Sequence, residues 1–372
     1  MKVAIVHYWF VTWRGGEKVV GQLLQLYPDA DVYTHVISPD VQSEHLPDRR
    51  VFRTFISKLP NSLRWYQKYL PLMPIALEQL DLRGYDLVIS SESGPAKNVI
   101  TDPDALHVCY CHSPMRYVWD MYQLYLRAAG GLSRFMMRPV MHYMRIVDMM
   151  SAERVDHFIA NSSFIARRID KCYRRKSTVI YPPVEIDEFH CQTHKQDFYL
   201  VLGQLTPYKR VDLVVDAFLR NGKKLVVIGE GEDLQRLRSI ATERIQVLGR
   251  QPFSVVKEHL ANAKALIFPG VEDFGIVPLE AMASGTPVIA FAKGGALETV
   301  VDDPDPARAT GILFYEQTVE AVESAVARFE SRSTPILAQS CRDQAERFSS
   351  ARFREEISTF LKAKLAEKHI RH

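Results

Sequence analysis

Glu272 and Glu280 stand eight positions apart in Phe268-Pro269-Gly270-Val271-Glu272-Asp273-Phe274-Gly275-Ile276-Val277-Pro278-Leu279-Glu280. Ala265-Leu266-Ile267-Phe268 is an apolar run of strand length, and Pro278 predicts a helix start, because its missing N–H is no loss in a first turn. Glu272 is therefore expected on the loop leaving a strand, and Glu280 in the first turn of the following helix. In an open α/β sheet, ligands bind in the crevice at the carboxyl ends of strands. A helix start favours an anionic group, and Gly275 lets backbone N–H groups come close to one. Two carboxylates beside an anion site suit a ligand with both phosphates and hydroxyls, of which a nucleotide sugar is one. The plainer alternative makes Glu280 a helix-dipole acid, worth about 0.3–1 kcal/mol.

Other residues supply the opposite charge. Lys209, with Arg210 beside it, follows the strand-like Tyr199-Leu200-Val201-Leu202 and the turn Gly203-Gln204-Leu205-Thr206-Pro207-Tyr208. An ammonium at a strand's end is a point charge suited to a diphosphate. His112 follows another apolar run, Leu106 to Cys111. Cys109, Cys111 and His112 are neighbours but complete no ligand set at zinc spacing, so no metal site is expected. Gly16 follows the first strand, Val3-Ala4-Ile5-Val6, in a glycine turn where a backbone N–H can approach a phosphate closely.

The elements that must position these residues alternate along the chain. Apolar strands and amphipathic helices succeed one another from Val3 to Ala160 and again from Tyr199 to Ala290. That alternation predicts an α/β fold of two doubly wound, Rossmann-like domains with parallel sheets covered on both faces. Val179-Ile180-Tyr181-Pro182-Pro183-Val184 is a stiff extended hinge between them. The expected domains are 1–184 and 185–348, with a C-terminal helix at 349–372 packing back toward the first. Two such domains face a cleft, into which the Glu272 loop opens. Neither half carries G-x-G-x-x-G after its first strand, so a dinucleotide site lacks its main support.

At 372 residues the chain is long enough for two cores. No apolar run approaches a transmembrane span, and the start does not read as a secretory signal. Five cysteines, an odd set, fit a reducing cytoplasm. Net charge is only +3, too balanced for a dedicated nucleic-acid binder. The basic residues nevertheless cluster. Arg49 to Leu77 holds Arg49, Arg50, Arg53, Lys58, Arg64 and Lys68 among Phe52, Phe55, Trp65, Tyr66 and Tyr69, with no acid. Met121 to Val147, also acid-free, holds Arg127, Arg134, Arg138 and Arg145 among Phe135, Tyr143 and several methionines. Basic and aromatic residues together are expected on a surface lying against anionic lipid. Ordinary helices with solvated basic faces are the alternative.

The segment from Glu272 to Ile289, with its Glu-x7-Glu and Glu-Ala-Met-Ala-Ser-Gly-Thr-Pro-Val-Ile, resembles the signature of family 4 glycosyltransferases of the GT-B fold. Gly15-Gly16, Val179–Val184 and Leu202–Arg210 match that family's glycine loop, linker and phosphate loop. Tyr110–Trp119 looks most like the bacterial mannose-using branch that builds surface polysaccharides, lipopolysaccharide among them. The resemblance implies a retaining hexosyltransferase, using a nucleotide sugar (GDP-mannose) as substrate, working without a metal or other cofactor, and acting on a lipid-linked saccharide. It implies that Glu272 faces the transferred sugar, that Glu280 holds the ribose, and that Lys209, Arg210, Gly16, Gly203, Phe274, Gly275 and Ile276 surround the donor. Leu248 and Arg250 stand where relatives hold the base, His112 beside the donor sugar, and Arg116 where an acceptor phosphate or a carboxylate would meet it. Gln204 departs from the family, many members of which have arginine there. A protein peripheral on the cytoplasmic membrane face is the expected setting. A sugar-nucleotide epimerase of the same fold and a non-catalytic nucleotide-sugar-binding subunit are the alternatives.

Overall fold

The computed structural model describes residues 1–371 and divides into two units, one of Met1–Pro183 with the segment from Phe353 onward, the other Val184–Arg352. The first unit contains seven strands: β1 (Val3–His7), β2 (Asp31–Thr34), β3 (Val51–Arg53), β4 (Leu87–Glu92), β5 (Leu106–Cys111), β6 (His157–Ala160) and β7 (Ser177–Val179). They form one parallel sheet in the order β3-β2-β1-β4-β5-β6-β7. The second unit contains β8 (Tyr199–Leu202), β9 (Leu225–Ile228), β10 (Ile245–Gly249), β11 (Ala265–Phe268), β12 (Val288–Phe291) and β13 (Gly311–Phe314). These are also parallel, in the order β10-β9-β8-β11-β12-β13. The central strands are buried along their length, as their near-continuous apolar sequences require of strands covered on both faces.

Each strand order reverses direction once. In the first unit the chain builds outward from β1 through β2 and β3, then crosses back to β4; in the second it runs from β8 through β9 and β10, then crosses to β11. Loops leaving the two strands at such a switch point diverge and leave a crevice at their carboxyl ends. The paired strands β1/β4 and β8/β11 therefore mark where each unit can hold a ligand.

The C-terminal helix Ser350–Arg371 places Phe353, Ile357 and Leu361, spaced by one turn each, in the core of the first unit with Val20, Leu23 and Leu24 of the helix Gly15–Leu26. The strands β3 and β7 escape the periodicity because at three residues they hold too few alternations, and β3 lies inside the basic run. Gly15 and Gly16 belong to the first turn of a helix rather than to a turn before it. The helix expected at Pro278 begins at Ile276, because Gly275 takes a left-handed φ of 88° as its N-cap. Pro278 is thus the third helical residue, and Glu280 the fifth rather than a first-turn acid.

The two basic runs divide between core and surface. Phe55, Tyr66 and Tyr69 pack against the cluster of Val36, Ile56, Met73 and Ala76, whereas Phe52 and Trp65 are exposed. Arg50 pairs with Asp31 at 2.8 Å, and Arg53 donates to Gln42 Oε1 at 2.6 Å. In the helix Gly131–Ala152, Met144, Asp148, Ser151 and Ala152 are buried, while Leu132, Phe135 and Met136 are 80%, 69% and 55% exposed. Among the described residues no helix is long and apolar enough to cross a membrane.

Candidate functional site

In the second unit, Lys209 and Glu272 come from the loops that leave β8 and β11, the two strands of the switch point. Their side chains form an ion pair between Lys209 Nζ and Glu272 Oε1, both partly exposed. Backbone geometry imposes the meeting. A Cβ on Gly270 would lie 3.1 Å from Lys209 Cα and 3.2 Å from its carbonyl oxygen, so any side chain there would push the two loops apart by a few tenths of an ångström. Gly203 has a φ of 144°, and a Cβ there would lie 3.6 Å from Lys209 Nζ. The Glu272 loop is pinned on its other side: the Gly295 N–H donates to the Glu272 carbonyl at 3.0 Å, and Gln317 Nε2 donates to the Pro269 carbonyl at 2.8 Å.

Two further glycine pairs hold these loops. Gly229 and Gly231, after β9, have φ of 152° and 154°; a Cβ on Gly229 would stand 1.7 Å from the Gly203 carbonyl oxygen, and one on Gly231 2.2 Å from that of Leu205. The Leu205 N–H donates to the Glu230 carbonyl at 2.7 Å, tying the Lys209 loop to this turn. Gly294 and Gly295, after β12, play the same part for the Glu272 loop, with prospective Cβ distances of 2.2 Å to the Glu272 and 2.0 Å to the Phe274 carbonyl oxygen. The signal was in the sequence, as Gly-x-Gly and Gly-Gly directly after apolar strands.

The remaining donor-side candidates divide by environment. Arg210, at a left-handed φ of 55°, turns its guanidinium to Asp212 at 3.2 Å, away from a joint cation clamp with Lys209. Phe274 is buried, its ring 5.7 Å from that of Phe348, so its side chain supports the loop from inside. Gly275 and Ile276 form the N-terminal end of the helix Ile276–Ala283, on which Glu280 is half-buried. Leu248 accepts from Gln251 Nε2 at 3.0 Å through its carbonyl, and Arg250 is exposed.

In the first unit the corresponding ends belong to β1, β4 and β5. His7 and Ser91 are register partners on β1 and β4. His112 lies two residues beyond Tyr110, the register partner of Ser91 on β5, and so falls on the same face. Ser91 Oγ stands 3.0 Å from His7 Nδ1 and 2.8 Å from His112 Nε2. The His112 backbone is held at both groups: its N–H donates to the Glu92 carbonyl at 2.7 Å, and its carbonyl accepts from Asn161 Nδ2 at 3.0 Å. Burial pushes the His112 pKa down to about 3, so the ring is neutral near pH 7. Gly16 faces the same group; a Cβ there would lie 3.2 Å from Tyr8 Oη and 3.4 Å from His112 Nε2. Arg116 approaches Asp120 at 3.6 Å, and Arg168 also pairs with Asp120, so acidic charge already faces Arg116.

A family model described as "Glycosyltransferase Family 4" matches residues 13–188, and one described as "Glycosyl transferases group 1" matches 185–348. An uncharacterised glycosyltransferase of Methanocaldococcus jannaschii is 30% identical over 152 residues, covering 40% of this chain and 43% of that protein. The O-antigen chain mannosyltransferase RfbU of Salmonella typhimurium is 27% identical over 215 residues, 50% of this chain and 60% of that protein. The chain thus spans about half the length of these relatives. The crystal structure of Anabaena HepE with UDP-glucose superposes with a TM-score of 0.72 at 18% identity, covering 98% of this chain and 100% of that one, a likeness of fold. With adjoining matches running from residue 13 to residue 348, the chain belongs to the family 4 glycosyltransferases, with the GT-B fold.

Proposed function

We propose that this chain is a retaining hexosyltransferase that takes a sugar from a nucleoside-diphosphate donor, mannose from GDP-mannose, and places it on a lipid-linked saccharide in surface-polysaccharide synthesis. The observation that carries this reading is the Lys209–Glu272 pair at the β8/β11 switch point. It sets one cation and one carboxylate side by side, as a ligand with an anionic leaving group and a hydroxylated sugar requires. Mannose is favoured by the likeness to RfbU.

The chemistry follows from charge. Breaking the sugar–phosphate bond leaves negative charge on the diphosphate and oxocarbenium character on the sugar. Lys209 and the N–H groups at Gly275 and Ile276 stabilise the first; Glu272 stabilises the second. Glu280 accepts from the ribose hydroxyls in ground and transition state alike. Neutral His112 contacts the donor sugar. The acceptor hydroxyl attacks from the face the leaving group departs, and a donor phosphate oxygen takes its proton. Lys209 takes the part a divalent cation plays elsewhere, so the reaction runs without one. The exposed apolar and basic residues of the first unit rest on the cytoplasmic face of a membrane, where a lipid-linked acceptor lies.

Release of nucleoside diphosphate over a panel of nucleotide sugars, with a membrane lipid extract as acceptor and with or without EDTA, tests the reading. GDP-mannose should give the fastest extract-dependent release, and EDTA should change nothing. Extract-independent conversion of the donor to an epimer would overturn it, as would activity lost in EDTA and restored by magnesium.

A further inference from the structure

Behind His112 lies a buried chain of polar groups that no role in donor binding accounts for. It runs from His112 Nε2 to Ser91 Oγ at 2.8 Å, from Ser91 Oγ to His7 Nδ1 at 3.0 Å, and ends with His7 Nε2 at 4.0 Å from Glu17 Oε1. His7 and Ser91 are fully buried, and Glu17 is 5% exposed. His7 Nε2 is buried without a hydrogen-bond partner, and Glu17 is the carboxylate facing it. Glu17 is itself fixed, its Oε2 accepting from the Arg14 N–H at 3.1 Å at the start of the helix Gly15–Leu26.

We infer that Glu17, His7 and Ser91 are positioning residues that hold His112 as its Nε2–H tautomer, leaving the Nδ1 lone pair to accept a hydrogen bond from a hydroxyl of the bound ligand. The inference rests on the proposed function only for the identity of that ligand, the donor sugar.

The polarity follows from proton counting. A serine hydroxyl has one proton, so of its two histidine contacts it donates one and accepts the other. Glu17 decides which. Of the two neutral tautomers of His7, the one with a ring lone pair facing the carboxylate is repelled and the one with an N–H there is attracted, so its single proton sits on Nε2 and Nδ1 accepts. Ser91 then donates to His7, and its oxygen accepts from His112 Nε2–H. In a neutral imidazole with one nitrogen protonated, the other is an acceptor. Gly16 closes the group on its other side: a Cβ there would stand in van der Waals contact with His7 Cε1 at 3.5 Å and with His112 Nε2 at 3.4 Å.

The test labels the ring nitrogens of the full-length protein with 15N at histidine and assigns His112 by the signal lost in His112→Gln. The wild-type spectrum near pH 7 should show His112 with a protonated Nε2 and an unprotonated Nδ1. Ser91→Ala should shift it toward a tautomer mixture, and Ser91→Thr, which keeps the hydroxyl, should restore it. With nucleotide sugar, Ser91→Ala should lose about tenfold in kcat/KM, the scale of one hydrogen bond, with affinity for free nucleoside diphosphate unchanged. A wild-type His112 protonated at Nδ1 overturns the relay, and so does a Ser91→Ala protein with both tautomer and turnover as in wild type. The wild-type spectrum needs no turnover and no variant at Ser91. Failure to transfer sugar therefore sinks the proposed function alone, and a wrong tautomer sinks the relay alone.

Discussion

At the scale of single residues, Lys209 and Glu272 satisfy one another in the structure, and in the proposed reaction the donor diphosphate takes the ammonium over. Glu272→Gln removes the competing carboxylate while keeping the side chain's size. Turnover should then fall on the order of 10²-fold or more, because the lost charge acts on the transition state, while affinity for nucleoside diphosphate holds or rises. Glu280→Ala should raise KM for the donor with kcat little changed, since ribose contacts persist through the reaction. Steady-state kinetics with product-binding measurements separate the two. Equal effects of both variants on donor affinity, with kcat intact, would contradict the assigned roles.

At the scale of elements, the site is a set of loop ends brought together by glycines. Gly229 sits at the end of β9, and its missing side chain is what admits the β8 loop that bears Lys209. Alanine there meets a φ of 152° and a carbonyl oxygen 1.7 Å from its Cβ. The backbone strain alone is about 1–3 kcal/mol. Gly229→Ala should therefore lower Tm by several degrees and weaken nucleoside diphosphate binding together, as the loop shifts off Gly203. Gly130, with nothing within 4 Å of a prospective Cβ, is the control: Gly130→Ala should leave both unchanged. Thermal unfolding and calorimetric titration of the two variants check this, and an unaffected Gly229→Ala would mean that the β8 loop is set by other contacts.

At the scale of the whole molecule, two properties follow from groups spread over the first unit. Leu132 lies one turn before the adjacent Phe135 and Met136 on the helix Gly131–Ala152, all three exposed beside Arg134 and Arg138. In the proposed membrane contact each cation near an anionic surface would contribute about 1 kcal/mol, and inserted apolar residues would make the attachment partly resistant to salt. The wild-type protein should float with anionic vesicles, weakly with neutral ones, and a triple change of these three residues to serine should float less. Equal flotation would return this face to ordinary surface. The second property is acid sensitivity. Burial pushes His35 and His112 down to about 3 and His107 to about 4, from an ordinary value near 6.5. Below pH 6.5 the unfolded chain binds protons that the folded one excludes, so stability present above that pH is lost as it falls toward 4. Glu92 acts in the opposite sense between about 7 and 4.5, because burial raises its pKa to about 7 and the folded state takes the proton first. Glu92→Gln should thus steepen the decline of Tm from pH 7 to pH 5.

Much of this was legible in the amino-acid order, because it is written locally. Runs such as Val3–Val6 and Ala265–Phe268 and the helical spacing of Val19, Val20, Leu23 and Leu24 identify parallel strands and covering helices, and the Glu272–Glu280 segment places its carboxylates at a strand end and on a helix. Local pattern also misled: Pro278 permits a helix start, yet Gly275 makes it two residues earlier. What only the tertiary structure decided is which distant residues meet. His7 and Ser91 are 84 positions apart and touch because β1 and β4 pair in register, while Lys209 meets Glu272 because β8 adjoins β11. Periodicity carries the burial of each segment against a neighbour. The identity and register of that neighbour come from long-range packing, which no local spacing contains.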